Sequence, residues 1–201
     1  RKDNRFYIVG DDAMQFANVF AKNTRRPLKS GVISAQEEDA LPILELIIKN
    51  ILGPHRHKFE TVYYSVPGNP VDADFNTIYH ENIIAEMLRR WDYTPKPINE
   101  GLAVIYSELA DANFTGIGIS LGGGMANVCF ANLSVPIFAF SVARCGDWVD
   151  AEVARVTNET VSRVCHIKET LFDLTKKESE MNRIEHALSI YYRNLIEYIL
   201  N

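Results

Sequence analysis

Cysteine is scarce in this sequence: Cys129, Cys145 and Cys165 are the three in 201 residues. An odd number at irregular spacing matches no zinc motif and offers no paired disulfide framework. The three read as reduced thiols of a cytoplasmic protein. Clustered positive charge is lacking as well. The net charge is −5 and no basic run is longer than Arg25-Arg26. Direct binding of nucleic acid is not expected, because phosphate recognition needs grouped cations. Long apolar runs are also missing. Leu41–Ile48 and Val135–Val142 fall well short of the roughly 18 residues that cross a bilayer. No signal peptide opens the chain. The five histidines show no metal-ligand spacing.

What is present is an ordinary globular composition, 47% hydrophobic and 23% charged, enough to build one large domain or two small ones. The chain starts at Arg1 rather than Met and stops at Asn201 inside an apolar helical pattern. The expectation is therefore a piece of a longer protein.

The first half alternates strands and helices. Residues 6–9 read as a short strand, with Asp11 or Asp12 capping a helix through Phe20. A helix is expected over Ala35–Leu52, with Glu37, Glu38 and Asp39 in its first turn and Gly53-Pro54 at its end. Thr61–Val66 is β-branched and aromatic, hence a strand. The run Pro67-Gly68-Asn69-Pro70 must turn. Asp74–Trp91 has helical apolar spacing, Lys96–Glu100 is extended, and Gly101–Ala110 is the next helix. The pattern then changes. Phe114–Ser120, Ala126–Asn132 and Ile137–Val142 read as three strands of an antiparallel meander, separated by Gly122-Gly123-Gly124 and by Ser134-Val135-Pro136. Helices are expected over Val149–Val156, Val161–Leu171 and Ser179–Leu200.

The glycine triplet carries the most chemistry. Three residues without Cβ atoms at a hairpin tip let backbone amides approach an anion closely. The plain alternative is a tight turn that needs positive φ. No Gly-Lys-Ser/Thr follows, so it is not a Walker loop. A strand rather than a helix comes next, so it is not a Rossmann fingerprint.

The order of motifs decides between these. Tyr7-Ile8-Val9-Gly10-Asp11-Asp12-Ala13, followed by Arg26-Pro27-Leu28-Lys29-Ser30-Gly31-Val32-Ile33, resembles the "VGDEA … RP-x-x-x-G-V-I" passage of MreB-type bacterial actins. Ile98–Ala103 resembles the "I-x-E-P-x-A-A" segment of MreB and the seventy-kilodalton heat-shock chaperones. Ile117–Val128 resembles the second phosphate loop, "D-x-G-G-G-T-T-D/E-V". Gly146–Asp150 resembles "G-G-D-x-F-D", and Ile167-Lys168-Glu169 resembles the "I-K-E" helix beside the adenosine. The likeness runs through nearly the whole chain and points to the actin-like ATPase superfamily, closest to the MreB- and ParM-like actins.

That resemblance implies an α/β chain with the ribonuclease-H-like actin fold, incomplete, its mixed sheets flanked by helices. Residues 1–110 would finish the first actin-like domain. Residues 111–201 would open the second, with a helical subdomain from about 150. It implies a cytoskeletal or segregation ATPase that binds ATP with Mg²⁺ and self-associates into filaments. Glu100 would orient the attacking water. Ser120, Gly122, Gly123, Gly124, Met125, Lys168 and Glu169 would line the nucleotide. Membrane contact outside this fragment stays open. The residues leave plainer roles open: Glu100 as a helix-capping carboxylate, Lys168 and Glu169 as a solvated helix face, Asp147 and Asp150 as a cap and a first-turn acid.

This sequence departs from the pattern at telling places. Ser120 stands where the family has its metal-associated Asp, Met125 where it has Thr, and Asn127 where it has an acid. Gly101 replaces a proline and Cys145 a glycine. A serine brings no charge to a hard cation, so a weakened metal site with no protein ligand is expected. A degenerate actin-fold scaffold that binds nucleotide or a partner without hydrolysis is the alternative function.

Overall fold

The computed structural model describes residues 7–10, 12–13, 16, 19–20, 25–34, 36–37 and 39–201. Tyr7, Ile8 and Val9 form no regular strand, while Phe6 lies outside the described residues. Of the expected first helix, Asp12, Ala13, Phe16 and Val19 are helical and Asp11 lies outside the described residues. Two short strands follow, β1 (Leu28–Lys29) and β2 (Val32–Ile33). They pair antiparallel about Ser30 and Gly31, both at positive φ (49° and 76°), the pairing geometry of a two-residue hairpin loop.

Helix α1 spans Ala40–Leu52, starting five residues later than the acidic run suggested. Pro42 sets the start. It lacks an N–H and crowds the carbonyl four residues back, so it is tolerated only in a first turn. Gly53, at φ 66°, ends the helix. Strands β3 (Glu60–Val66) and β4 (Tyr93–Asn99) pair in parallel from Glu60↔Tyr93 to Val66↔Asn99. Helix α2 (Ile78–Arg90) is the crossover between them, as parallel strands require. The β4 strand begins three residues before the expected one. Pro95 and Pro97 conceal it in the sequence, but at alternate positions their missing donors share one edge, which an edge strand tolerates. Ile33, Ala40, Leu44 and Met87 form the core between β2, α1 and α2.

Asn99 caps helix α3 (Glu100–Glu108), its Oδ1 accepting from the Leu102 amide at 3.2 Å. The expected meander follows as β5 (Gly116–Leu121), β6 (Ala126–Asn132) and β7 (Val135–Val142), in the order β5-β6-β7. The second turn is shorter than expected. Only Leu133 and Ser134 turn, both at positive φ, and Pro136 sits within β7 opposite Ala131, next to a register shift in β6. Helix α3 lies against one face of this sheet on a core of Ile105, Cys129 and Ala131. Two glycines permit the approach. A Cβ on Gly101 would stand 2.8 Å from the Cys129 amide nitrogen, and one on Gly118 would run into the Gly101 carbonyl oxygen.

The other face carries three helices, α4 (Gly146–Thr157), α5 (Val161–Thr170) and α6 (Arg183–Leu200). Val149, Val153, Val164, Leu188 and Leu195 are fully buried there with Ala126, Val128 and Val142 of the sheet. Helix α6 starts at Arg183 rather than Ser179. Asn182 and Glu185 form a reciprocal capping box, which fixes the boundary.

The halves of the chain meet at several points. Pro70 bridges to Ser141 in parallel, and the Val71 amide donates to the Ser141 carbonyl at 2.8 Å. Asp72 accepts from the Ala143 amide (2.7 Å) and the Tyr198 hydroxyl (3.0 Å). Among the described residues no helix is long and apolar enough to cross a membrane.

Candidate functional site

The site is built on the β5–β6 hairpin. Gly122, Gly123 and Gly124 form its tip, closed by the Gly122 amide donating to the Met125 carbonyl at 3.0 Å. The tip is wedged between two other backbones. A Cβ on Gly124 would collide with the Gly31 amide nitrogen and with Ser30. On the other side, the Gly146 and Asp147 amides donate to the Gly122 and Gly123 carbonyls at 3.1 and 2.7 Å. The first amides of a helix have no intrahelical partner. Cys145 supplies no side-chain cap, so the glycine tip caps α4. The triplet is not the positive-φ turn of the plain alternative, since none of its three glycines has positive φ; its carbonyls face the helix, while among the described residues the Gly123 and Gly124 amides have no protein acceptor. Those amides are the groups that would cradle a phosphate.

An ion pair lies beside the tip. Arg26 reaches Asp147 at 2.8 Å, and both carboxylate oxygens of Asp147 stand within 3.5 Å of where a Gly123 Cβ would be. Asp147 thus does more than start a helix: it joins the Arg26 loop to α4. On this side Arg26, Lys29, Ser34, Gln36, Glu37 and Asp147 surround a cleft of about 300 Å³.

Glu100 begins α3 and faces the same hairpin. Its Oε2 accepts from the Asn127 side-chain amide at 2.7 Å and from the Ser120 hydroxyl at 3.5 Å. Burial raises its pKa above the ordinary carboxylate value, with the Ser120 hydroxyl working against the shift. The carboxylate opens on a cleft of about 480 Å³, shared with Ser65, Ala103, Ser107, Glu108 and Ser120. A carboxyl half out of water and held by donors is suited to orient a water or take its proton.

Ser120, Asn127 and Ser141 occupy matching positions across β5, β6 and β7, forming one polar row on the α3 face of an apolar sheet. Asn127 and Ser141 are both 0% exposed. Asn127 Oδ1 accepts from the Gly68 amide at 2.9 Å and from the Ser141 hydroxyl. The sequence marks Asn127 only as a departure and Ser141 not at all. The legible signal was a polar residue inside each of three largely apolar strands, at positions that pair.

The remaining expected residues are dispersed. Met125 is 2% exposed, its side chain lying under Gly31, so only its backbone faces outward. Lys168 pairs with buried Asp150 at 2.7 Å. Burial alone would lower the Lys168 pKa, but the Asp150 hydrogen bond and charge outweigh it and raise it. Its ammonium stands 3.2 Å from where a Gly146 Cβ would be, next to the glycine tip. Glu169 is exposed and accepts from Cys165 Sγ at 3.3 Å. Burial, then this bond, push the Cys165 thiol up to about 11. Glu100 and Ser120 thus come together on one side, Lys168 and the glycine tip on another. Among the described residues no three His, Cys, Asp or Glu side chains group as metal ligands.

Small mixed sheets flanked by helices, with a carboxylate-led helix crossing the sheet of the glycine hairpin, make up an actin-like fold. Solved structures agree. MreB5 of Spiroplasma citri bound to AMPPNP superposes with a TM-score of 0.68 at 14% identity, over 99% of this chain and 67% of that one. The MamK double helical filament gives 0.63 at 17%, over 82% and 51%. The ethanolamine utilization protein EutJ from Carboxydothermus hydrogenoformans gives 0.56 at 15%, over 89% and 61%. The chain therefore spans half to two thirds of the length of these structures, and at such identities the likeness is one of fold. No curated protein matches the sequence. The chain belongs to the Volactin family, whose model matches residues 1–201.

Proposed function

We propose that this chain is the central part of an actin-like nucleotide-binding protein, whose lobes at 1–110 and 111–201 close on ATP and which assembles into cytoplasmic filaments. The observation that carries this reading is the glycine tip. Among the described residues its Gly123 and Gly124 amides are free of protein acceptors, and the tip is packed against Ser30–Gly31 of the other lobe. A polyphosphate there would contact both lobes and favour the closed arrangement, a population shift set by differential affinity. Lys168, beside the tip, would add positive charge, with Glu169 on the next helical position. Glu100 lies against the tip-proximal Ser120–Asn127 pair of the hairpin, where it would orient a water. ATP with Mg²⁺ would supply the phosphoryl chemistry. Among the described residues the carboxylate bonded to Ser120 is Glu100, so most cation ligands would be phosphate oxygens and water.

The second reading, a nucleotide-binding scaffold without turnover, is favoured by Ser120 and Met125. Ser120 donates to Glu100 and the Met125 side chain is buried, so neither brings charge to a cation. Phosphate release from the full-length protein with Mg²⁺-ATP, run beside light scattering, separates the two. Turnover with scattering, slowed about tenfold or more by Glu100→Ala with ATP binding kept, supports the ATPase. Binding without either supports the scaffold. Absence of nucleotide binding refutes both.

A further inference from the structure

We propose that Asn127, from the 111–201 lobe, is the positioning residue for Glu100, tying the carboxylate to the Gly68 turn of the lobe at 1–110 that carries both. The assignment rests on the reading of Glu100 as the water-orienting group, but its geometry stands independently. Asn127 is fully buried in the middle strand, and its amide has one possible orientation. The Gly68 backbone amide and the Ser141 hydroxyl both present hydrogens to Oδ1, so Oδ1 must be the acceptor and Nδ2 the donor. That donor meets Glu100 Oε2 at 2.7 Å. The Ser120 hydroxyl approaches the same oxygen from β5. One carboxylate oxygen is thereby fixed by the sheet, while the cleft opens beside it.

The chain runs Gly68 amide, Asn127, Glu100, linking the turn after β3 to the first residue of α3. A displacement of the 67–70 turn would release Asn127 Oδ1 and loosen the donor aimed at Glu100. An acid at this position would set a second carboxylate against Glu100 at hydrogen-bond distance, where like charges cannot both be accommodated. The groups around Glu100 are Ser120 and Asn127 from the sheet, Ser65 from β3, and Ala103, Val104, Ser107 and Glu108 from its own helix. Asn127 is the donor at closest range.

Asn127→Asp isolates this role. The introduced carboxylate keeps an acceptor for Gly68 and Ser141 but turns the donor facing Glu100 into a repelling oxygen. In the full-length protein, N127D should lower kcat for Mg²⁺-ATP on the order of tenfold to a hundredfold, with KM and ATP affinity changed by less than about twofold. In an E100Q background the amide placed at position 100 can donate to the introduced carboxylate, so N127D should cause no further loss. The same four proteins, unfolded in urea, should show a coupling of about tenfold in the folding constant. Ser141→Ala, a milder change that removes one of two donors to Oδ1, should lower kcat less and leave KM unmoved. Effects of N127D that add independently of position 100, in both turnover and unfolding, overturn the proposal. A wild-type protein that shows the unfolding coupling but neither binds nor hydrolyses ATP supports the lock and overturns the proposed function instead.

Discussion

Two bridges join the halves of this chain beside the same hairpin, and they are built from opposite materials. One is short and largely buried, with Glu100 its ionisable end: the Gly68 amide to Asn127, Asn127 to Ser141 and Glu100. The other is charged, long-armed and open to water: Arg26 to Asp147, with side chains 66% and 44% exposed. Arg–Asp is nominally the stronger pair, yet water screens it and two flexible side chains must be ordered to make it. The buried groups have no water to fall back on, so each broken contact leaves an unsatisfied donor or acceptor. Burial, rather than formal charge, decides which bridge holds the two halves of the chain in register.

The sharpest way to break this contrast is Gly68→Ala. A Cβ there would stand 2.7 Å from Ser141 Oγ, a hydroxyl that is itself fully buried and bonded to Asn127. The substitution should cost about 2–3 kcal/mol, read as a lower urea midpoint, and should reduce turnover with it. Wild-type stability would show that the turn gives way freely and that the buried bridge is soft.

A smaller effect is expected at His80, a third contact and also buried. Its Nδ1 accepts from the Ile33 amide at 3.2 Å, and burial lowers its pKa below the ordinary 6.5. The folded protein therefore holds His80 neutral while the unfolded chain protonates more readily. Its contribution is complete above pH 6.5 and declines as pH falls below that value. Thermal midpoints measured from about pH 8 to about pH 5 should drop below about pH 6.5, and His80→Asn should flatten that drop.

The smallest effect belongs to the exposed bridge. Asp147→Asn should cost no more than about 0.5–1 kcal/mol, and that difference should shrink as salt rises to about 0.5 M, where charges are screened over a few ångströms. A cost matching that of Gly68→Ala would erase the distinction between the bridges.

Much of this arrangement was legible in the sequence, and the failures have a pattern. The meander, the helical second half and the glycine tip follow from β-branched runs, apolar spacing and an unmistakable triplet. Glu100 was reachable through its short motif. The β4 strand was under-read because Pro95 and Pro97 disguise it, and α1 was over-extended because acidic residues ahead of Pro42 imitate a first turn. Asn127 and Ser141 were not singled out because a polar residue in a strand gains meaning only from its partner on the next strand. Register is a property of the pairing, not of either segment. Met125 shows the converse: its place in the phosphate-loop pattern suggested a position lining the nucleotide, and only the Gly31 backbone overhead shows where its side chain goes.

The cap on α4 has a mechanical corollary. Because the Gly122 and Gly123 carbonyls hold the leading amides of a 12-residue helix, the bend and the rod move as a single lever about 18 Å long. Val149 and Val153 on that rod are sealed into the apolar block with α6. A displacement of the glycine tip would therefore bear on α4 directly, through backbone hydrogen bonds and not through a side chain.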